Sequence, residues 1–204
     1  MARLTRKETQ ELTRARLIDT AKVLFLAEGY NATSLGQVAD AAGYTKGAVY
    51  SNFADKQELG LAVLDVVLTE RVEALLTEIA PAESDEQVLA AFTRWAEQHI
   101  GDVGWTALEV EFAISTRHQE DVRLRLAERR RGITLLLAEL LRDRSEALGL
   151  ALDGTPEDVA THLLALGIGL GVQRAFDPDL PIDVLVDHLA QLSGGGAPSG
   201  ARVS

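Results

Sequence analysis

One stretch of the chain, residues 34–53, constrains the fold more than any other part of the sequence. It reads SLGQVADAAGYTKGAVYSNF. Within it, Leu35, Val38 and Ala42 recur at the spacing that places side chains on one face of a helix. Gly43 predicts the end of that helix, because the residue after a helix often needs a positive φ, which glycine adopts without strain. The stretch therefore begins with a short amphipathic helix that stops at a tight turn.

Polar side chains mark the starts of two helices in this stretch. Ser34 and Gln37 have the spacing of a capping box, in which each side chain accepts a hydrogen bond from the other residue's backbone N–H. Thr45 is a second N-cap, and it opens a helix whose inward residues are Val49 and Phe53. Two short helices joined by a glycine turn predict a helix-turn-helix, a motif whose second helix enters the major groove of DNA.

The flanking sequence extends this pattern on both sides. An F-x-x-x-G-Y segment precedes it at residues 25–30, and a K-x-x-L segment follows it at residues 56–59. Together with T-S-L-x-x-V-A-x-x-A-G-Y-T-K-G-A-V-Y-x-N-F at residues 33–53, the pattern resembles the DNA-binding domain of the TetR family of bacterial transcriptional repressors. The resemblance covers about residues 12–65. It implies a homodimeric, all-helical repressor that binds double-stranded operator DNA and is released by a small-molecule effector.

The resemblance also implies which residues contact DNA. The residues that would face the groove are Tyr44, Thr45, Lys46, Gly47, Ala48 and Tyr50, and those that would contact phosphates are Ser34, Asn52 and Lys56. Lys46 can reach guanine O6 and N7 or a phosphate, while Ala48 could contact a thymine methyl group. Tyr50 either contacts DNA or packs against its own domain, and Lys56 either contacts a phosphate or pairs with a nearby acid. Gly36 departs from members of the family that carry a base-reading side chain there, so the first short helix is expected to contribute less to specificity.

Charge is distributed unevenly along the chain. The net charge is −11, but residues 1–60 carry eight Lys or Arg against seven Asp or Glu, whereas the remaining residues carry twelve against twenty-four. Asymmetry of this kind is more informative than the total. Five of the cations cluster before or within the first predicted helix: Arg3, Arg6, Lys7, Arg14 and Arg16. Residues 1–10 are therefore predicted to form a basic arm, which either neutralises phosphates or is only solvated.

The predicted fold class is all-α, because Ala and Leu abound, aromatic residues are few and no strand pattern is found. A first helix over residues 11–28 joins the two short helices in a DNA-binding domain over residues 11–55. Its predicted core is Leu17, Ile18, Ala21, Phe25, Leu35, Val38, Ala39, Val49 and Phe53. Further helices are predicted at residues 56–79, 85–100, 105–116, 121–148, 156–176 and 182–192. Gly101 and Gly104 are predicted to lie between helices, Gly149 to end one, and the tail at residues 193–204 to be disordered.

By the same resemblance, residues 56–192 form a helical domain for effector binding and dimerisation. Five apolar residues on consecutive helices could line a ligand pocket or could simply be core: Phe92, Trp95, Trp105, Leu108 and Phe112. The family dimerises through its last two long helices, which here are residues 156–176 and 182–192. Gly167 and Gly171 stand one turn apart on the first of them, where small residues would let a partner helix approach closely.

The chemistry of an enzyme is not predicted. The chain has no cysteine, and its four histidines lack the spacing of a metal site or a catalytic triad. We therefore expect no catalytic residue, no metal and no cofactor. The first ten residues lack the apolar core of a secretory signal, and the longest apolar run, residues 163–172, is too short to span a membrane. A cytoplasmic protein without a membrane partner is expected.

Three other functions are compatible with parts of this pattern. The chain could be an activator, or a DNA-binding member of the family that has no effector. It could also be a helical protein-interaction module, which would protect no specific DNA sequence. An enzyme with an incidental helix-turn-helix is disfavoured by the missing acid–base and metal clusters.

Overall fold

The computed structural model describes residues 5–148 and 152–192, and all regular secondary structure within them is helical. The helices are α1 (Arg6–Glu28), α2 (Leu35–Ala42), α3 (Lys46–Tyr50), α4 (Lys56–Ile79), α5 (Asp85–His99), α6 (Val103–Ser115), α7 (Glu120–Leu148), α8 (Pro156–Phe176) and α9 (Asp183–Leu192). The predicted all-α fold class is confirmed. Gly149, residues 1–4 and the predicted tail at residues 193–204 lie outside the described residues.

Helix α1 begins five residues earlier than the sequence pattern predicts. Thr5 caps it, because the Glu8 N–H donates to Thr5 Oγ1 at 3.2 Å and the Thr5 N–H donates to Glu8 Oε2 at 2.7 Å. These two bonds are a full capping box. Residues 6–10, predicted as part of a basic arm, are therefore the first turns of α1, and that part of the prediction is wrong.

The chain divides into two compact units. The first unit contains the described residues up to Arg71 together with Val103–Arg123, and the second contains Val72–Asp102 together with the described residues from Leu124 onward. Helix α6 thus belongs to the same unit as the helix-turn-helix. The predicted domains, with their boundary between residues 55 and 56, divide the chain differently and stay a prediction.

The core of the first unit contains buried residues of α1, α2, α3, α4 and α6 together with Tyr30. Most of the predicted core residues are fully buried, although Ile18 and Leu35 are only half-buried. Tyr30 adds an aromatic centre: its ring packs edge-on against Phe25 at 5.3 Å and against Phe112 of α6 at 5.1 Å between centroids. Such aromatic pairs stabilise a core beyond the area they bury. Helix α6 therefore shares the core of the helix-turn-helix.

Gly104 lies within α6 and does not separate two helices, contrary to the prediction. A Cβ atom at this position would lie 2.5 Å from the backbone carbonyl oxygen of Leu26 on α1. Real Cβ atoms essentially never come this close to another heavy atom. The glycine is required because the backbones of α1 and α6 approach each other too closely for any side chain.

The second unit contains two apolar clusters. One is formed by Ala96, Leu170, Ile182 and Leu185 of α5, α8 and the start of α9, and the other by Leu75, Ile79 and Ala91 of α4 and α5. Phe92 and Trp95 pack against both clusters. The apolar faces of α4, α5, α8 and α9 are thus joined in one interior.

Helix α8 is the most apolar long helix among the described residues. Thr155 caps it and Pro156 occupies its first turn, as the sequence predicts. By length and hydropathy alone it would suffice to cross a membrane, and 28% of that apolar window is buried inside the protein. A helix of this length and composition is weak evidence for a membrane span, because core helices of soluble proteins share both properties.

Candidate nucleic-acid interface and ligand cavity

The turn between α2 and α3 is fixed by backbone hydrogen bonds. Ser34 caps α2 through the predicted capping box, with Gln37 N–H to Ser34 Oγ at 3.2 Å and Ser34 N–H to Gln37 Oε1 at 2.7 Å. Gly43 has a φ of +74° and its N–H donates to carbonyls of the last turn of α2. This left-handed conformation favours glycine, and it sets the direction in which α3 leaves the turn.

Helix α3 is short, and three interactions hold it in place. Thr45 caps it by accepting from the Ala48 N–H at 3.2 Å. Val49 is fully buried, so one face of α3 is fixed in the core. Arg14 of α1 donates to the backbone carbonyl oxygen of Asn52 and lies 4.1 Å from the centroid of the Phe53 ring. Arg14, one of the five cations that cluster at the start of the sequence, therefore holds the end of the helix-turn-helix.

The other face of α2 and α3 is open to solvent. We call this face the recognition surface, and it consists of Ser34, Gly36, Thr45, Lys46, Gly47 and Tyr50. Tyr50 is 60% exposed, and Ser34, Thr45, Lys46 and Gly47 are also exposed. Tyr44 and Ala48 are half-buried beside it. Most of the predicted groove residues thus lie on one exposed face that carries a cation, hydroxyl groups and an aromatic ring.

Gly36 and Lys46 form a contact that the sequence pattern does not reveal. A Cβ atom at Gly36 would lie 3.0 Å from Lys46 Cε and 3.4 Å from its Nζ. The lysine side chain therefore lies across α2 in the space that a side chain at position 36 would occupy. The missing side chain was predicted to reduce the contribution of α2 to specificity, and in the structure it also leaves room for the end of the Lys46 side chain.

Asn52 is held inside the first unit. Its Nδ2 donates to the Ala48 carbonyl oxygen at 2.8 Å, and its Oδ1 is buried without a hydrogen-bond partner among the described residues. The side chain is thus used to close the end of α3. The predicted contact between Asn52 and a phosphate stays a prediction, and it would require this side chain to turn outward.

Lys56 opens α4 and lies against the turn that follows α1. Its Nζ is 4.2 Å from the centroid of the Tyr30 ring and donates to the Asn31 carbonyl oxygen at 3.4 Å. Burial lowers the pKa of Lys56, and the negative charge of Glu111 opposes that shift. Burial also raises the pKa of Tyr30 to about 12, so its ring stays neutral under the ammonium group. The predicted phosphate contact of Lys56 is untested, but its side chain is half-buried in the free protein.

A cavity of about 350 Å³ lies within the second unit. Its walls are mostly apolar: Leu75, Ile79, Val88, Leu89, Phe92, Leu137, Leu140, Leu141, Leu152, Leu163, Leu189 and Ala190. Polar groups are few, namely Asp85 and Glu86 of α5 and Arg144 and Ser145 of α7. A concave, largely apolar site with a few polar groups is typical of small-molecule binding. In the described part of the chain, no group of three or more acidic or histidine side chains could hold a metal ion.

The five predicted ligand residues do not come together at this cavity. Phe92 lines it, and Trp95 stacks on Phe92 with 5.9 Å between ring centroids. Trp105, Leu108 and Phe112 are buried in the first unit. A ligand role for these five residues stays a prediction, and the cavity offers a different set of lining residues.

The two predicted dimer glycines face their own chain. A Cβ atom at Gly167 would lie 3.7 Å from Ile100 Cδ1, and one at Gly171 would lie 3.7 Å from the backbone nitrogen of Gly101. Gly169, in contrast, has nothing within 4 Å. The exposed apolar side chains of α8 and α9 include Ile168 and Val184, which are 40% and 63% exposed. The role of Gly167 and Gly171 at a dimer interface stays a prediction, and the contacts described for both are ordinary van der Waals contacts within the chain.

Comparison with known proteins finds a family model that matches the part of the chain containing the recognition surface. Residues 17–63 match the family model described as bacterial regulatory proteins, tetR family. The HTH-type transcriptional regulator AcrR of Shigella flexneri is 51% identical over 59 residues, which are 29% of this chain and 27% of AcrR. The chain therefore matches this relative over only about a quarter of the relative's length.

Other relatives match over most of their length at lower identity. The HTH-type transcriptional repressor NemR of Escherichia coli K12 is 26% identical over 181 residues, covering 84% of this chain and 90% of NemR. The crystal structure of the reduced form of E. coli NemR has a TM-score of 0.69, with 22% identity over 88% of this chain and 97% of that one. The structural likeness shows a shared fold that extends beyond the helix-turn-helix.

Proposed function

We propose that the chain, whose residues 17–63 match the model of the tetR family of bacterial regulatory proteins, is a cytoplasmic, homodimeric transcriptional repressor of that family. In this proposal a small-molecule effector releases it from a near-palindromic operator. The observation that carries this proposal is the recognition surface, where exposed residues surround a helix anchored by the buried Val49. The relative NemR, described as a repressor, supports the sign of regulation.

The recognition surface reads the major groove in this proposal. Lys46 donates to guanine O6 and N7, and Thr45 and Tyr50 add hydroxyl groups for base edges or phosphates. Gly47 has no side chain, so the backbone of α3 can lie close to the bases. Ser34 at the start of α2 and Lys56 at the start of α4 would contact phosphates, which fixes the register of the protein on the duplex.

A dimer would place two recognition surfaces on successive half-sites. Helices α8 and α9 carry the apolar side chains Ile168, Val184 and Phe176, the last of which is 86% exposed. Exposed apolar side chains of this kind favour an interface between two copies of the chain. Half-sites one turn of DNA apart, about 34–36 Å, would then require the two recognition surfaces to have the same separation.

The cavity of the second unit is the proposed effector site. Its walls favour a mostly apolar molecule, which Arg144 or Ser145 could orient through a polar group. Helix α4 begins at Lys56 on the DNA side and ends at Ile79 in the cavity wall. A ligand would lower operator affinity if it preferred a conformation of the dimer in which the separation of the two recognition surfaces no longer matches that of the half-sites. By linkage, the operator must then lower ligand affinity by the same factor.

The direct test is DNase footprinting with the purified protein on the DNA that flanks its own gene. We expect one protected, roughly palindromic site that survives an excess of random competitor DNA. A site protected only on one half would contradict the dimer, and no protected site would remove the proposed function altogether. An unchanged footprint across a broad set of apolar small molecules would favour a family member without an effector.

Lys46 and Lys56 are expected to differ in what they contribute to binding. Lys46→Ala should relax sequence preference, because it removes a donor to base edges. Lys56→Ala should weaken binding to all duplexes alike and lower the slope of log K against log salt by about 1, because it removes one phosphate contact. Titrations on operator and random duplexes at several salt concentrations measure both. Equal losses on both duplexes for both variants would contradict this division.

Filling part of the cavity should weaken binding of apolar ligands without affecting operator binding. We expect Leu140→Trp to reduce the fluorescence enhancement of anilinonaphthalene sulfonate, an apolar fluorescent probe, because the indole would occupy its space. Leu136→Trp is the matched control, since Leu136 lies on the same helix and is 40% exposed but does not line the cavity. Equal probe binding by both variants would show that the cavity is not the site.

A further inference from the structure

Asn31 links Lys56 to helix α6 through its own backbone. Its N–H donates to Glu111 Oε2 at 2.8 Å, and its carbonyl oxygen accepts from Lys56 Nζ at 3.4 Å. Its side-chain Oδ1 also accepts from Ser115 Oγ at 2.7 Å. Glu111 and Ser115 of α6 therefore hold Asn31, whose carbonyl group accepts a hydrogen bond from Lys56.

Glu111 lies closely against this turn. Gly29 has a φ of +92°, and a Cβ atom there would lie 3.0 Å from Glu111 Oε1. The Glu111 carboxylate thus lies in the space that a side chain at position 29 would need. The positive φ at this position independently favours glycine. This position brings a negative charge from α6 to the same turn that carries the ammonium group of Lys56.

Lys56 is drawn toward the protein by three groups at once. These are the face of the Tyr30 ring, the carbonyl oxygen of Asn31 and the charge of Glu111. A cation over an aromatic face and near a carboxylate is stabilised by both. The bond to Asn31 uses one of the three N–H donors of the ammonium group, and a DNA phosphate would attract the same positive charge. Phosphate and Glu111 would therefore compete for one cation.

We propose that Glu111 is a positioning residue that holds Lys56 back from DNA, so that helix α6 sets the affinity of the protein for any duplex. This inference rests on the proposed function, because it takes Lys56 to be a phosphate contact. It assigns to α6 a direct electrostatic effect on DNA binding, in addition to packing in the core of the first unit. A shift of α6 toward or away from Asn31 would then change the affinity without any change in the recognition surface.

The test compares Glu111→Gln with Glu28→Gln, each alone and combined with Lys56→Ala. Glutamine can still accept the Asn31 N–H bond, so the turn is retained while the charge is lost. Glu28→Gln removes the same charge from an exposed position at the end of α1, and it measures the general effect of charge on binding. We expect Glu111→Gln to raise affinity for operator and random duplexes alike, about three- to fivefold beyond the control, as for a partly exposed charge pair.

The increase should vanish when Lys56 is alanine. An increase that persists in the Lys56→Ala background, or one no larger than that of Glu28→Gln, would overturn the inference, and so would a fall in affinity. If the unmodified protein binds no duplex above competitor DNA, the proposed function fails instead. If it binds and only the Glu111 effect is missing, the inference alone fails.

A second measurement needs no DNA and covers the case in which a variant binds poorly. The pKa of Lys56 can be followed by NMR of the free protein after isotopic methylation of its lysines. Because the charge of Glu111 raises that pKa against the effect of burial, Glu111→Gln should lower it further. No change in the pKa of Lys56 would show that the carboxylate does not act on the lysine.

Discussion

Replacing Gly47 by leucine is expected to abolish operator binding while leaving the free protein folded. A Cβ atom at Gly47 would meet only Thr45 Oγ1, at an ordinary contact distance of 3.7 Å, and the position is exposed. The free protein therefore has room for a side chain there, and leucine favours a helix more than glycine does. If α3 lies in the major groove, that same side chain would occupy the space of the DNA, and affinity should fall by about 100-fold or more.

The control for this prediction is the same substitution on another helix. Gly132 of α7 is exposed, and a Cβ atom there would have nothing within 4 Å, so Gly132→Leu should change neither the fold nor operator affinity. Circular dichroism melts and operator titrations of both variants distinguish a folding defect from a binding defect. Normal operator binding by Gly47→Leu would mean that the start of α3 does not approach DNA.

Replacing Gly104 by valine is expected to cause the largest loss of stability. Its Cβ would lie 2.5 Å from the Leu26 carbonyl oxygen, and a backbone atom inside a helix cannot move aside as a flexible side chain can. Helices α1 and α6 would have to separate, which also disturbs the aromatic packing around Tyr30. Overpacking of this kind typically costs about 1–3 kcal/mol, and contact with backbone puts Gly104→Val at the upper end, about 3 kcal/mol.

Chemical denaturation of the purified variant measures this loss. Gly132→Ala is the comparison, because it adds one methyl group to an exposed helical glycine and should gain up to about 1 kcal/mol in helix propensity. If Gly104→Val were as stable as the unmodified protein, the close approach of α1 and α6 would be wrong. That outcome would not bear on the Gly47 prediction, because Gly47 is an exposed residue of a different helix, α3.

The sequence predicted the helix-turn-helix well because its signals are local. Capping by Ser34 and Thr45 and the left-handed turn at Gly43 depend only on residues a few positions away. The start of α1 could also have been found, since Thr5 and Glu8 carry the same capping-box spacing. The run of basic residues around them instead suggested an arm, and that interpretation missed the cap.

The assignment of helix α6 could not be predicted, because it depends on contacts between residues distant in the chain. Gly104 looked like a break between helices, since a glycine in a helix costs stability when nothing approaches it. Its real partner, the backbone of Leu26, is far away in the sequence. Trp105 and Phe112 were likewise grouped with Phe92 because apolar side chains on successive helices show no sign of which core they enter.

The same limit applies to the glycines of α8. A spacing of one turn indicates that something approaches the helix, but it does not identify the approaching group. For Gly167 and Gly171 the nearest groups described are Ile100 and Gly101 of the same chain. Gly169, between them in the sequence, is the position that remains open.

The contact between Gly36 and Lys46 has a consequence for how operator preference could diverge among relatives. A Cβ atom at position 36 would require the flexible end of Lys46 to shift by a few tenths of an ångström, and a longer side chain would compete with it for the same space, so we expect the effects of the two positions to be coupled. A new side chain at position 36 would add a possible contact to the bases and would also change the path of the Lys46 side chain. A new operator preference should therefore require replacement of both residues 36 and 46. Replacing only one of them should reduce discrimination between operator sequences.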